Sequence, residues 1–209
     1  MALLKIIRIL AWGTLGVMGL LGVTLLLGWW QVAGPGSRFA PNVGQTQRLP
    51  DIGGPFTLIS HIGKAVTHKD FLGRPALVFF GFTHCPEVCP TALSEITNRL
   101  QALGRSADRL QILFITVDPE RDTPEQLAMY LEAFDSRIVG LSGTQDQVNQ
   151  AIQAYGVYAR RIPLEGGSYS VDHTASVFMM DSAGRFIGSI DYHENDETAI
   201  RKMQRLAGL

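Results

Sequence analysis

The alternation of apolar and polar positions divides this chain into an uncharged start, a polar stretch and a longer segment of mixed periodicity. Residues 9–30, ILAWGTLGVMGLLGVTLLLGWW, contain no charged side chain. A helix of roughly 20 apolar residues crosses a bilayer core, so this run predicts a transmembrane helix. From residue 33 to 48 the pattern lapses into Gly34-Pro35-Gly36-Ser37 and scattered polar residues, the signature of a tether. Residues 75–82, PALVFFGF, are continuously apolar and read as a strand buried on both faces. A helical stripe of Leu93, Ile96 and Leu100 follows, from about Cys89-Pro90 to Leu103, closed by Gly104. Residues 110–117, LQILFITV, form a second buried strand. Thr123-Pro124-Glu125-Gln126 supplies an N-cap, a first-turn proline and a capping-box Gln for a helix to about Phe134.

Residues 138–141 predict a third short strand, and Thr144 with Gln147 opens a helix that ends near Gly156. Two further β runs, at 171–180 and 185–190, are joined by the turn Asp181-Ser182-Ala183-Gly184. A last helix spans about Asp196 to Leu206. The order is strand, helix, strand, helix, strand, helix, hairpin, helix. It predicts an α/β fold: a thioredoxin-like mixed sheet flanked by helices, preceded by the N-terminal transmembrane helix. The domains expected are a membrane anchor at 1–32, a linker at 33–48 and a thioredoxin-like domain at 49–209.

Charge orients the anchor. Lys5 and Arg8 precede the apolar run, and the next basic residue is Arg38. By the positive-inside rule the N-terminus stays cytoplasmic and the domain is exported; Trp29 and Trp30 suit the far interface. A cleaved signal peptide is the competing reading, but its apolar region spans only about 7–15 residues. With no Arg-rich, Ser-rich transit peptide ahead of the span, the expected setting is a bacterial inner membrane, crossed once, with the domain in the periplasm. The formal net charge of −1 and the lack of a dense Lys/Arg stripe argue against a nucleic-acid partner.

The chain has only two cysteines, Cys85 and Cys89, at the junction of the first buried strand and its following helix. A structural disulfide gains more from closing a longer loop, so this pair points to chemistry or metal binding. The helix N-terminus lowers thiol pKa and favours thiolate. Three intervening residues let both sulfurs turn toward one centre, and two soft thiolates in an exported protein favour Cu(I) or Zn(II). The spacing by itself leaves a dithiol–disulfide redox pair equally open, although it departs from the C-x-x-C of thioredoxin-like oxidoreductases.

A third ligand separates the two. His173 lies in Ser170-Val171-Asp172-His173-Thr174-Ala175-Ser176, a loop that a thioredoxin fold brings beside the cysteine turn, where its imidazole completes a Cys₂His site. Asp172 is a candidate to orient that ring, or simply a turn residue. His84 is expected to tune its neighbour Cys85, and His61, His68 and His193 to be solvated or structural. The loop Val117-Asp118-Pro119-Glu120-Arg121-Asp122-Thr123-Pro124 falls at the carboxyl end of the sheet, where α/β sites gather. It reads either as a docking or site-shaping loop or as a helix cap.

Residues 82–90, FTHCPEVCP, together with 117–124, VDPERDTP, and Asp172-His173-Thr174 resemble the three signature segments of the Sco/SenC family, in order across the exported domain. Glu87 stands where Asp is common in the family and keeps the charge. The resemblance implies a copper-binding protein that assists assembly of the dinuclear copper centre of cytochrome c oxidase, by copper delivery, by reduction of acceptor cysteines, or both. It maps the copper ligands to Cys85, Cys89 and His173, the metal being Cu(I), Cu(II) or each in turn. The partner it implies is the copper-bearing oxidase subunit or another copper chaperone. The rival is a periplasmic thiol–disulfide oxidoreductase, or a peroxidase-like variant of one, with Cys85 and Cys89 as its catalytic pair; a third reading is a tethered binding module with a structural disulfide. Ala175-Ser176-Val177 lacks the proline that thioredoxin-like enzymes carry before this strand, which favours metal binding over general dithiol exchange.

Overall fold

The computed structural model describes Trp12 and residues 18–29 and 51–209. The chain divides into two compact units, Met1–Arg48 and Leu49–Leu209. In the first, residues 18–29 are helical and present Leu25, Leu26 and Trp29 to the surroundings. No helix among the described residues is long and apolar enough to cross a membrane. Residues 9–11, 13–17 and 30 of the expected span, and the whole of the expected linker, lie outside the described residues.

The second unit is built on a seven-stranded mixed sheet. Its strands are β1 (Thr57–Ser60), β2 (Ala65–Thr67), β3 (Ala76–Gly81), β4 (Gln111–Thr116), β5 (Ile138–Ser142), β8 (Val177–Met180) and β9 (Phe186–Ile190). The spatial order is β2-β1-β5-β4-β3-β8-β9. β3, β4 and β5 run parallel, and every residue of β3 and β4 is buried. That explains their unbroken apolar sequence, since a strand covered on both faces has no solvent side to alternate toward. Four helices complete the unit: α1 (Val88–Leu103), α2 (Pro124–Leu131), α3 (Gln145–Ala154) and α4 (Asp196–Leu206). Thr123 caps α2 by accepting from the Gln126 amide, and Thr144 with Gln147 forms the capping box of α3.

The structure departs from the sequence expectation in three places. The run 171–180 is two strands, not one. Tyr169–His173 is β7, which leaves the main sheet to pair with β6 (Ala159–Pro163) as a separate antiparallel ribbon. Only from Val177 does the chain join β3. β6 escaped notice because Arg160, Arg161 and Pro163 give it no buried alternation. The β1–β2 hairpin adds two short edge strands to the sheet, antiparallel to β5, where only an extension was expected. Finally, α2 ends at Leu131 rather than near Phe134.

Candidate functional site

β3 ends at Gly81, and the chain turns through residues 82–87 into α1. Glu87, at the N-cap, makes no side-chain cap hydrogen bond. The first turn of a helix leaves backbone N–H groups without intrahelical partners. Here the Cys89 amide donates to Cys85 Sγ at 3.3 Å, so a sulfur occupies the place of a capping oxygen. Cys85 is partly exposed and Cys89 fully buried, and neither is in a disulfide. Gly81 makes room for this arrangement: a Cβ there would lie 2.8 Å from Cys89 Sγ and 2.7 Å from the Phe114 ring.

His173 ends β7 and brings its ring over the cysteines from the other side. Its Nε2 stands 3.3 Å from Cys89 Sγ. Its Nδ1 is 2.9 Å from the Thr174 carbonyl, an acceptor only, so Nδ1 carries the hydrogen and Nε2 turns a lone pair toward the sulfurs. The orienting partner is therefore this carbonyl, not Asp172, whose side chain is exposed. Phe82 and Phe79 meet the imidazole edge-on, with centroids 5.8 and 6.3 Å away. Thr174 is itself tied to Tyr158: its amide donates to the Tyr158 carbonyl and its hydroxyl accepts from the Tyr158 amide, each at 3.0 Å. One ligand atom from each of Cys85, Cys89 and His173 lies within 4.8 Å of the others. Cys85 and His173 line a cleft of about 370 Å³ walled by Phe82, Pro86, Val88, Ile162 and Ala175, with Cys89 buried beneath.

The two thiols differ electrostatically. Cys85 is held down to about 4, first by the hydrogen bond from Cys89, with burial opposing and the Cys89 amide assisting. Cys89 is pushed up by that same hydrogen bond, by burial and by the negative charge on Cys85. The pair therefore favours thiolate at Cys85 over thiolate at Cys89.

The loop after β4 shapes the site rather than merely capping a helix. Asp118 and Asp122 are fully buried. Asp122 accepts from the Thr83 amide at 3.0 Å, the Thr83 hydroxyl at 2.6 Å and the Thr116 hydroxyl at 2.7 Å, gripping the chain two residues before Cys85. Burial pushes the Asp122 carboxyl up, against those three donors. Asp118 forms an ion pair with Arg121 and accepts from the Tyr169 hydroxyl at 2.8 Å. Tyr169 was not foreseen from the sequence: its partners are about 50 positions away and no local pattern marks it. His84 is half-exposed, with Nδ1 3.0 Å from the Thr83 hydroxyl and outside the Cys–Cys–His group. His61 Nδ1 accepts from the Gly140 amide, His68 packs on Phe56, and His193 lies 3.5 Å from Glu95.

A mixed α/β sheet with two cysteines at the entry to its first long helix, and a histidine ring over them, defines a thioredoxin-like fold that gathers two sulfurs and an imidazole at one point. The chain belongs to the SCO1/SenC family, whose model matches residues 44–208. It is 42% identical to the human mitochondrial protein SCO1 homolog over 142 residues, 66% of this chain and 47% of that protein. It is 39% identical to the zebrafish mitochondrial protein SCO2 homolog over 189 residues, 83% of this chain and 66% of that one. The chain spans about half to two thirds of the length of these relatives. Among solved structures, copper-bound ScoI of Bradyrhizobium japonicum matches with a TM-score of 0.70 and 46% identity, covering 74% of this chain and 99% of that one. Copper-bound yeast Sco1 matches with a TM-score of 0.69 and 37% identity, covering 75% and 88%.

Proposed function

We propose that this chain is a membrane-anchored copper-binding protein that serves assembly of the dinuclear copper centre of cytochrome c oxidase. Its cargo is held by Cys85, Cys89 and His173. The observation that carries this reading is the convergence of two sulfurs and an imidazole lone pair within 4.8 Å at the floor of one cleft. Two soft sulfurs with one imidazole suit Cu(I), and Cu(II) takes the same set with an added oxygen donor. The copper-bound relatives support the choice of metal. Cys85, partly exposed and the more acidic of the two thiols, is the sulfur an incoming ligand reaches first; buried Cys89 and His173 complete the site. Transfer then proceeds by ligand exchange with cysteines of the copper-bearing oxidase subunit or of another copper chaperone.

The anchor is the uncharged run at 9–30, with Lys5 and Arg8 on the cytoplasmic side of a bacterial inner membrane and the domain in the periplasm. Tethering raises the effective concentration of the site near a membrane-bound acceptor.

Anaerobic Cu(I) titration of the reduced chain against a chelating competitor tests the assignment. One tightly bound copper is expected, weakened about 10–100-fold by His173→Ala, with the fold unchanged. Equal affinity in the variant removes His173 from the site. A second reading, thiol–disulfide exchange, is favoured by the acidic Cys85 thiol beside a protonated, buried partner. In that step Cys85 thiolate attacks a partner disulfide and expels one of its sulfurs as thiolate. Cys89, on losing its proton, then displaces the second, leaving an intramolecular disulfide and a reduced partner. No specific copper binding, with ready cycling of the two cysteines, would favour it instead.

A further inference from the structure

Arg121 does not touch the Cys–Cys–His group, yet it lies where the two halves of that group are joined. The cysteines arrive on the turn after β3, and His173 arrives at the end of β7, a strand of the separate two-stranded ribbon. The cysteine turn and β7 share no main-sheet hydrogen bonds: the end of β7 is tied to β3 through the short run into β8, and the start of β7 is held by side-chain contacts to the loop after β4.

The loop after β4 makes those ties in both directions. On the cysteine side, Asp122 grips Thr83. On the histidine side, the Arg121 guanidinium is paired with buried Asp118 and donates to the Tyr169 carbonyl at 3.1 Å. It also stacks 3.8 Å from the centroid of the Tyr169 ring, whose hydroxyl returns to Asp118. Tyr169 opens β7, and His173 closes it. The same guanidinium lies 5.8 Å from the Phe82 ring, which meets His173 edge-on. Its Nη2 is buried without a hydrogen-bond acceptor. Arg161 of β6 covers the other part of the Tyr169 ring at 4.6 Å and reaches Glu120 at 2.8 Å.

We propose that Arg121 is a positioning residue for His173: with Asp118 and Tyr169 it clamps β7 to the loop that holds the cysteine turn, and so sets the reach of the imidazole to the sulfurs. The proposal rests on His173 being a copper ligand. Lysine cannot replace it, because a point ammonium supplies the charge for Asp118 but neither the planar stack nor the second, fixed donor that reaches the Tyr169 carbonyl while the first holds Asp118.

The test is a double-mutant cycle on the full chain, reduced and in mild detergent, with Cu(I) as the probe and a chelating competitor. Arg121→Ala and Arg121→Lys are each measured alone and on a His173→Ala background, and Tyr169→Leu serves as the variant from the other side of the clamp should Arg121→Ala fail to fold. Arg121→Ala is expected to weaken Cu(I) binding about tenfold, the loss typical of an outer partner, with Arg121→Lys little better. On the His173→Ala background the added loss should fall below about twofold, since there is no imidazole left to place. With Cu(II) as a second probe, nitrogen hyperfine coupling in the electron paramagnetic resonance spectrum should weaken in Arg121→Ala. An equal loss in both backgrounds, or unaltered nitrogen coupling, overturns the proposal by showing that Arg121 acts on the cysteines or on general stability. Unchanged affinity in Arg121→Ala while His173→Ala binds weakly overturns it and leaves the ligand assignment standing. Unchanged affinity in His173→Ala removes the ligand assignment, and the proposal falls with it.

Discussion

At the scale of single residues, the asymmetry between the two sulfurs has a chemical consequence. Cys85 takes hydrogen bonds from the Cys89 thiol and amide at an otherwise uncapped helix start, and its thiol is held down to about 4. Cys89 is fully buried and its thiol is pushed up. Thiolate is the nucleophile, so in the reduced, metal-free chain iodoacetamide at pH 6 should modify Cys85 and spare Cys89. Peptide mapping after a short exposure reads this directly; equal labelling of both would contradict the asymmetry. The cysteine pair was recognisable from chemistry and spacing, and His173 from a thioredoxin-like order and the resemblance, whereas the partner of the His173 Nδ1 was not. The sequence left Asp172 open as an orienting acceptor or a turn residue; alternation along β7 turns Asp172 outward and a backbone carbonyl holds the ring instead. Main-chain acceptors leave no trace in side-chain identity, which is why this one was invisible.

At the scale of elements, the strands buried on both faces and the capped helices announced themselves, because continuous apolar runs and N-cap chemistry are local. The ribbon of β6 and β7 did not. It is held by contacts to a distant loop rather than by its own apolar face, and its exposed residues include Arg160 and Arg161. The turn between α2 and β5 shows how an element joint responds to pH. Asp135 accepts from the Arg137 amide and side chain, and the guanidinium holds its carboxyl below the usual value of 3.8. A depressed carboxyl contributes stability above its unfolded pKa and loses it as pH falls through the folded one. Asp135→Asn should therefore cost about 1 kcal/mol near neutral pH, a modest figure because Arg137 is partly solvated. The difference should shrink through about pH 4 and vanish below it. Urea denaturation of both forms across that range measures it; a constant difference at every pH would refute the ion-pair account.

At the scale of the whole molecule, the site is a junction of three segments distant in the chain, the cysteine turn, the loop after β4 and the end of β7. Their assembly makes the cleft, and the anchor proposed for residues 9–30 would hold that cleft near a membrane. The anchor predicts that the full chain stays with membranes after alkaline carbonate extraction, while a chain beginning after residue 32 is released. Release of the full chain by carbonate would show that the run does not span.

The sequence by itself determined the alternation of buried strands and helices and the cysteine pair at a helix start, because each is written in local periodicity or in rare, reactive residue types; His173 was named only by assuming a thioredoxin-like order and by resemblance. Only the tertiary structure decided which strand carries His173, which nitrogen faces the sulfurs, and how Asp118, Arg121, Asp122 and Tyr169 lock the pieces together. The ties from Asp122 to Thr83 and from Arg121 and Asp118 to Tyr169 join residues 39 to 51 positions apart, and His173 meets Cys89 across 84; no one-dimensional pattern encodes a distance that depends on how separate elements pack.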